Sequence, residues 1–172
     1  SAVGNAVLYR KTLDLAIYDE LTGLYNRRML ERRLEMEWER AQRFGTTLTC
    51  IMVDVDHFKQ FNDEHGHLVG DQVLRHAGQL VLGLVRKVDT VARFGGEEFS
   101  ILLPRTEKRE AYAVAEKLRH TVESKPTTVG KDGKSLAVTI SVGVASTEDG
   151  PGSATELIDM ADNALLLAKS SG

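Results

Sequence analysis

The chain has 172 residues, 42% of them apolar and 27% charged, the make-up of one globular domain with a sizeable core. A formal charge of −3 provides no general basic field, which argues against polyanionic nucleic acid as a partner. No apolar run approaches the roughly 18–20 residues that span a bilayer and no signal-peptide pattern opens the chain, so a cytoplasmic location without direct membrane insertion is expected.

Residues 2–17 place Val3, Ala6, Leu13 and Ile17 on a weak heptad seam interrupted by Arg10. Two placements are open: a helical linker (1–17) entering from an upstream regulatory region, or a helix packed on its own domain. Residues 19–28 read as a turn followed by a helix start with Asn26 as N-cap. The helix behind carries Leu30, Leu34, Trp38 and Ala41 on one stripe, and Gly45 stops it. The run 48–55 is almost continuously apolar, as in a strand covered on both faces. It holds the single cysteine, Cys50, read as a buried reduced thiol. Helical periodicity resumes at Val73, Ala77, Leu80 and Leu84. Two strand-like runs, 90–94 and 99–103, flank Gly95-Gly96, the pattern of a tight hairpin with positive φ at the paired glycines. Ala111, Ala115, Leu118 and Val122 mark another helix, with Pro126 beyond its end. Asp132-Gly133 reads as a second hairpin turn, before a half-buried strand in which Leu136, Val138, Ile140, Val142 and Val144 alternate with Ala137, Thr139, Ser141 and Gly143. The last helix starts near Ser153 and turns Leu157, Ala161, Leu165 and Ala168 inward. This order implies an α+β fold with a mostly antiparallel central sheet flanked by helices.

Two acidic segments stand out. Asp54 interrupts the apolar run at its end, where an ionised carboxylate is costly unless paired or bound to a metal. Glu97 and Glu98 follow the paired glycines. If the hairpin neighbours the 48–55 strand, Asp54 and Glu97 converge at one edge of the sheet, and such carboxylates suit Mg²⁺, a hard ion with oxygen ligands. The alternative is that Asp54 caps the following helix. Residues 55–59 begin the turn after the strand with backbone N–H groups free to cradle phosphate, and Lys59 adds a positive charge there. His65 and His67 are not read as a metal site, because no cysteine or third histidine stands at zinc-type spacing.

Taken together, Gly95-Gly96-Glu97-Glu98-Phe99, the stretch 51–59, Asn62-Asp63, Gly66-His67, Gly70-Asp71 and the D-x-L-T-G-L-x-N-R-R run from Asp19 to Arg28 resemble the GGDEF family, the diguanylate cyclases. The likeness extends from about Asp19 to Gly172, giving an expected domain at 18–172. It implies a ferredoxin-like palm, as in class III nucleotide cyclases, and the condensation of two GTP into cyclic di-GMP with release of pyrophosphate. The resemblance implies metal binding by Asp54, the Val55 carbonyl and Glu97, with two Mg²⁺ ions per site and Mn²⁺ able to substitute. Glu97 would accept the proton of the attacking 3′-hydroxyl and Glu98 would assist. Phe58 and Lys59 would wrap the β- and γ-phosphates beside Gly95 and Gly96, with Lys59 stabilising the transition state. Asn62 and Asp71 would read guanine, and Lys169 would contact the terminal phosphates. One site holds one GTP while the product joins two, so a second copy must face the first as a homodimer. Arg86 and Asp89 resemble the R-x-x-D site where cyclic di-GMP inhibits. Without the resemblance, Arg86 and Lys87 read as a helix C-terminus complementing its dipole, followed by Asp89 opening a strand. The family's name-giving motif has Asp where this chain has Glu97, a change that keeps the charge, and Leu166 stands where Tyr is usual. A basic residue expected a few positions after Lys169 is missing because the given chain ends at Gly172. Two other readings are a catalytically silent GGDEF module that binds GTP or cyclic di-GMP, and a cyclase making a 3′,5′-cyclic mononucleotide.

Overall fold

The apolar run becomes strand β1 (Leu48–Val55), with all 8 residues buried. The structure, a computed structural model, describes residues 1–171; the expected domain limit at Gly172 lies outside them. Before β1 come helices α1 (Ala2–Ile17) and α2 (Arg27–Phe44), and after it α3 (Phe58–His65) and α4 (His67–Leu84). Strands β2 (Thr90–Arg93) and β3 (Glu98–Pro104) form the hairpin, followed by α5 (Lys108–Ser124). A two-stranded ribbon, β4 (Thr127–Val129) with β5 (Lys134–Leu136), precedes β6 (Ile140–Ser146), a 3₁₀ turn (Thr147–Asp149) and α6 (Ala154–Ser170).

The main sheet runs β2-β3-β1-β6 with every pair antiparallel. Its connectivity, β–α–β–β–α–β once the ribbon is set aside, is the ferredoxin-like arrangement, so the expected α+β class holds. Helices cover both faces. Ile51, Val53 and Val55 pack with α3, α4 and α5, whereas Cys50 and Met52 pack with α2 and α6. The two-residue period of a strand therefore assigns Asp54 to the α6 face, with Cys50 and Met52. Burial pushes the Cys50 thiol up to about 12, leaving it a neutral core group at neutral pH.

Local signals explain the ends of several elements. Asn26 caps α2, its side-chain oxygen accepting from Met29 N–H at 2.9 Å. Gly45 ends α2 with φ 62°, and Gly66, at φ 87°, separates α3 from α4, which periodicity alone had not distinguished. On α2 the expected stripe faces the core: Leu30, Leu34 and Ala41 are buried and Trp38 packs half-buried against the same cluster, with Glu37 also inward. Two expectations need correction. The alternating run 136–144 is not one strand: it divides into β5 and β6, because β6 must pair with β1 while β5 folds back on β4 around Gly133. Arg86 and Lys87 lie beyond the last turn of α4, which carries no basic residue. Along α1, Val3, Ala6 and Leu13 are exposed, while its end meets the turn before α2, the Asn26 N–H donating to the Ile17 carbonyl. Among the described residues, no helix is long and apolar enough to cross a membrane.

Helix α6 is seated on β6 through Gly143. A Cβ there would lie 2.2 Å from the Leu165 amide nitrogen and 2.3 Å from the Ala161 carbonyl oxygen. Neither backbone atom can move without shifting the helix, so Gly143→Ala is expected to destabilise the fold by about 1–3 kcal/mol, the usual cost of overpacking. Chemical denaturation of the variant checks this; an unchanged midpoint would contradict the packing described.

Candidate active site

The hairpin glycines do not behave as a primed turn. Neither Gly95 nor Gly96 has positive φ, and the loop closes instead through the Phe94 and Gly95 N–H groups, which donate to the Glu98 carbonyl at 2.8 and 3.3 Å. What Gly95 provides is room. A Cβ there would come within 2.2 Å of Glu98 Oε2, so the Glu98 carboxylate folds against bare backbone. No neighbour lies within 4 Å of a Cβ built at Gly96. Arg93 holds the loop: its Nη2 and Nε donate to the Gly96 carbonyl at 2.7 and 3.3 Å, and its Nη1 donates to Asp19 Oδ1 at 3.2 Å. Asp19 also accepts from the amide and hydroxyl of Thr22 at 2.8 and 2.7 Å. Burial pushes the Asp19 carboxyl upward, but the Thr22 and Arg93 contacts outweigh it and leave the group below the ordinary carboxylate range.

The structure brings the two acidic segments together. Asp54 stands opposite Glu98 in the β1–β3 register, and the Val55 N–H donates to the Glu97 carbonyl at 3.1 Å. Asp54 is 5% exposed and accepts from Lys169 Nζ at 2.6 Å, a contact between the end of β1 and the last turn of α6. The hydrogen bond to Asp54 raises the Lys169 ammonium above its usual range; burial works against this, and Asp54, Glu97 and Asp56 add to it. Glu97 therefore lies within electrostatic reach of the ammonium that contacts Asp54. Burial raises the Glu98 carboxyl, reinforced by Asp54, Asp162 and Glu97 and opposed by Lys169. Asp162 had escaped sequence reasoning. Its signal was a seven-residue spacing from Lys169, two turns along one helix face.

The capping role for Asp54 is overturned. The N-cap of α3 is His57, with φ 54° and no side-chain cap bond. Asp56 is not a cap either: it accepts from the hydroxyls of Thr139 and Ser141, both at 2.6 Å. The phosphate cradle is narrower than the sequence implied, because the Val55 and Asp56 N–H groups are engaged by the carbonyls of Glu97 and Thr139. By helix geometry the first turn of α3, Phe58 to Gln60, still lacks intrahelical acceptors for its N–H groups. Phe58 is buried and stacked on Phe61, with ring centroids 6.4 Å apart, and Lys59 is exposed beside it.

Asn62, on α3, lies against Gly70 of α4, the residue before Asp71 in sequence. Asn62 Oδ1 is buried without a hydrogen-bond partner, and a Cβ at Gly70 would lie 1.8 Å from it, so glycine is what admits the amide. A buried acceptor without a donor is costly. Arg86 and Asp89 lie apart from this site, past the end of α4. The Arg86 guanidinium forks onto Asp89, with Nη2–Oδ1 at 2.7 Å, and also donates to Thr106 Oγ1 at 2.8 Å. The Asp89 side chain is 2% exposed, and an open cleft of about 200 Å³ adjoins the pair, lined also by Leu103 and Glu110.

The donors at the end of β1 are all oxygen: two carboxylates and the Val55 carbonyl. Among the described residues, no group of three or more His, Cys, Asp or Glu is arranged to hold a metal ion. A partial set of hard donors fits Mg²⁺, which keeps waters and takes phosphate oxygens for its remaining positions.

Residues 16–172 match the family described as diguanylate cyclase, GGDEF domain. The response regulator PleD of Caulobacter vibrioides is 38% identical over 161 residues, which are 94% of this chain and 36% of PleD. The chain thus spans about a third of that curated relative. The crystal structure of the coiled coil and GGDEF domain of DgcB from Caulobacter crescentus, in complex with c-di-GMP, superposes with a TM-score of 0.88 at 31% identity, covering 99% of this chain and 92% of that one. The active GGEEF domain of a diguanylate cyclase from Vibrio cholerae gives a TM-score of 0.78 at 32% identity, covering 86% and 92%. With the sheet order, the acidic hairpin and these likenesses in agreement, the chain belongs to the diguanylate cyclase GGDEF-domain family.

Proposed function

We propose that this chain is an active, Mg²⁺-dependent diguanylate cyclase that joins two GTP into cyclic di-GMP and releases pyrophosphate. The observation that carries the reading is the register of β1 against β3, which sets Asp54 beside Glu98 and ties Val55 to Glu97. Asp54, the Val55 carbonyl and Glu97 hold the metal, for which Mn²⁺ can substitute. The two ions per site, when bound, supply positive charge for the triphosphate and acidify the attacking hydroxyl. Glu97 accepts the 3′-hydroxyl proton, with Glu98 assisting from the start of β3. The first turn of α3 and the Lys59 and Lys169 ammonium groups bind the phosphates, alongside the bare backbone of Gly95 and Gly96. Asn62 and Asp71 read guanine, the Asp71 carboxylate accepting from the base N–H edge and the Asn62 amide donating to a base acceptor. Catalysis is then mainly positioning and charge stabilisation.

Each chain carries one such site, so two copies face one another about a two-fold axis, each presenting its nucleotide to the other. The catalytic unit is 18–172, and α1, whose exposed face leaves it free to meet another helix, acts as its entry linker. A cytoplasmic site of action goes with GTP as substrate. Arg86 and Asp89 bind the product and inhibit. Support comes from their proximity to an open cleft, and from the DgcB structure having been solved with c-di-GMP. Binding there requires Arg86 to turn its fork from Asp89 toward the ligand.

Incubation of the protein with GTP and Mg²⁺, followed by nucleotide separation, is expected to yield cyclic di-GMP. Its absence at high protein concentration would identify a silent binding module, and a cyclic mononucleotide would mark a different cyclase. Glu97→Gln is expected to lower kcat by about 10²–10⁴-fold, the usual scale for losing a general base. Arg86→Ala should leave the initial rate intact while weakening product inhibition by about tenfold or more, as expected for a lost bidentate contact. An unchanged inhibition constant would refute that role. Because the folded-state Glu98 carboxyl is raised, ionising it costs stability as pH climbs through and above the ordinary range near ~4.3. Glu98→Gln removes that cost, so its metal-free melting temperature should exceed the parent's at pH 7 and converge with it in acid. A pH series of thermal melts tests the sign.

A further inference from the structure

The Asp54 carboxylate is buried, like-charged neighbours surround it, and its Oδ1 is already bonded to the ammonium of Lys169 at 2.6 Å. Glu97, Glu98 and Asp56 all act electrostatically on the same ammonium or feel it. The lysine reaches this point from a rigid support, since the approach of α6 to Gly143 fixes the height of its helix on the sheet. Its side chain is nonetheless 39% exposed, so the head group has room to leave without unfolding the helix.

We infer that Lys169 is the built-in counter-ion of the metal site, and that ammonium and divalent cation exchange on the Asp54 carboxylate. This rests on the cyclase reading only in taking Asp54 as a metal ligand. An ammonium at hydrogen-bond distance already neutralises the carboxylate that a divalent ion needs, and it repels a second cation arriving at either carboxylate oxygen. Metal entry therefore releases Lys169, and the released head group stands beside the ion, where a triphosphate brings its negative charge. Metal alone is consequently held weakly, while metal arriving with a triphosphate is held well, because the phosphate gives the displaced ammonium a new partner. The lysine thus couples metal loading to nucleotide loading, in addition to touching phosphate.

The test uses the whole chain and Mn²⁺ without nucleotide, read by electron paramagnetic resonance of the free ion. Lys169→Met is expected to bind Mn²⁺ about tenfold or more tightly than the parent, the order expected from removing a partly screened like charge at contact distance. Its metal-free melting temperature should fall, because a buried carboxylate loses its partner, and Mn²⁺ should restore more of it than in the parent. Adding Asp54→Asn must abolish the gain. A second measurement needs no variant: Mn²⁺ added to the parent protein should raise acylation of the Lys169 amine, read by peptide mass spectrometry, while leaving Lys87, exposed before β2 toward the opposite end of the sheet, unchanged. Unchanged or weaker Mn²⁺ affinity in Lys169→Met, a gain that survives Asp54→Asn, or Lys169 reactivity indifferent to Mn²⁺ would each overturn the exchange. None of these readouts involves cyclic di-GMP, so a protein that fails to make the dinucleotide can still pass or fail them.

Discussion

A carboxylate at the end of a strand buried on both faces has to be compensated, and Asp54 is compensated from the far end of the chain. The cost of moving an ionised group out of water is several kcal/mol even after relaxation, as an order of magnitude. Strand periodicity assigns Asp54 to the face that α6 covers, and α6 ends in Lys169, whose ammonium reaches the carboxylate at 2.6 Å. The contact exists only because β6 lies beside β1 and because Gly143 lets α6 settle close enough to the sheet. Two segments separated by 115 positions thereby share one electrostatic site.

The same edge of the sheet gathers the hairpin. The antiparallel register puts Glu98 opposite Asp54, and the loop that holds Glu97 is anchored by Arg93, whose guanidinium joins the Gly96 carbonyl to Asp19. Asp19 belongs to the turn that follows α1, and Thr22 closes that turn on the same carboxylate. The end of the exposed N-terminal helix and the acidic loop are consequently two hydrogen-bonded steps apart. Backbone bonds reinforce this: Tyr25 accepts from the Arg93 N–H at 2.9 Å and so extends the edge of β2.

Much of this was legible before any coordinates. Burial on both sides of 48–55, the helix stripes, the Asn26 cap and the turn at Gly133 all follow from local patterns, because side-chain periodicity and φ preferences act over a few residues. The misreadings have a common cause. Alternation across 136–144 matched exposure only as far as Ile140, since Gly143 is buried under α6, and it could not tell which partner each half would pair with. The glycines at 95 and 96 suggested positive φ, whereas the constraint on Gly95 is the Glu98 carboxylate packed against it. The N–H groups of Val55 and Asp56 seemed available until the hairpin and the residue before β6 supplied their acceptors. Glu37, buried on α2 beside the apolar stripe, had no signal in an apolar periodicity.

By itself, the order of residues determined the α+β class, the position of the acidic pair on a hairpin, and the identity of the residues that carry the family resemblance. Those properties depend on short-range sterics and on residue chemistry, which a sequence states directly. Only the tertiary structure decided that Asp54 pairs with Lys169 instead of capping α3, that Asp162 adds to the charge felt by Glu98, and that Arg86 is clasped by Asp89 and Thr106. Each of these is a contact between elements, and its energy depends on distance and burial, quantities that exist only once the sheet has fixed which strands are neighbours.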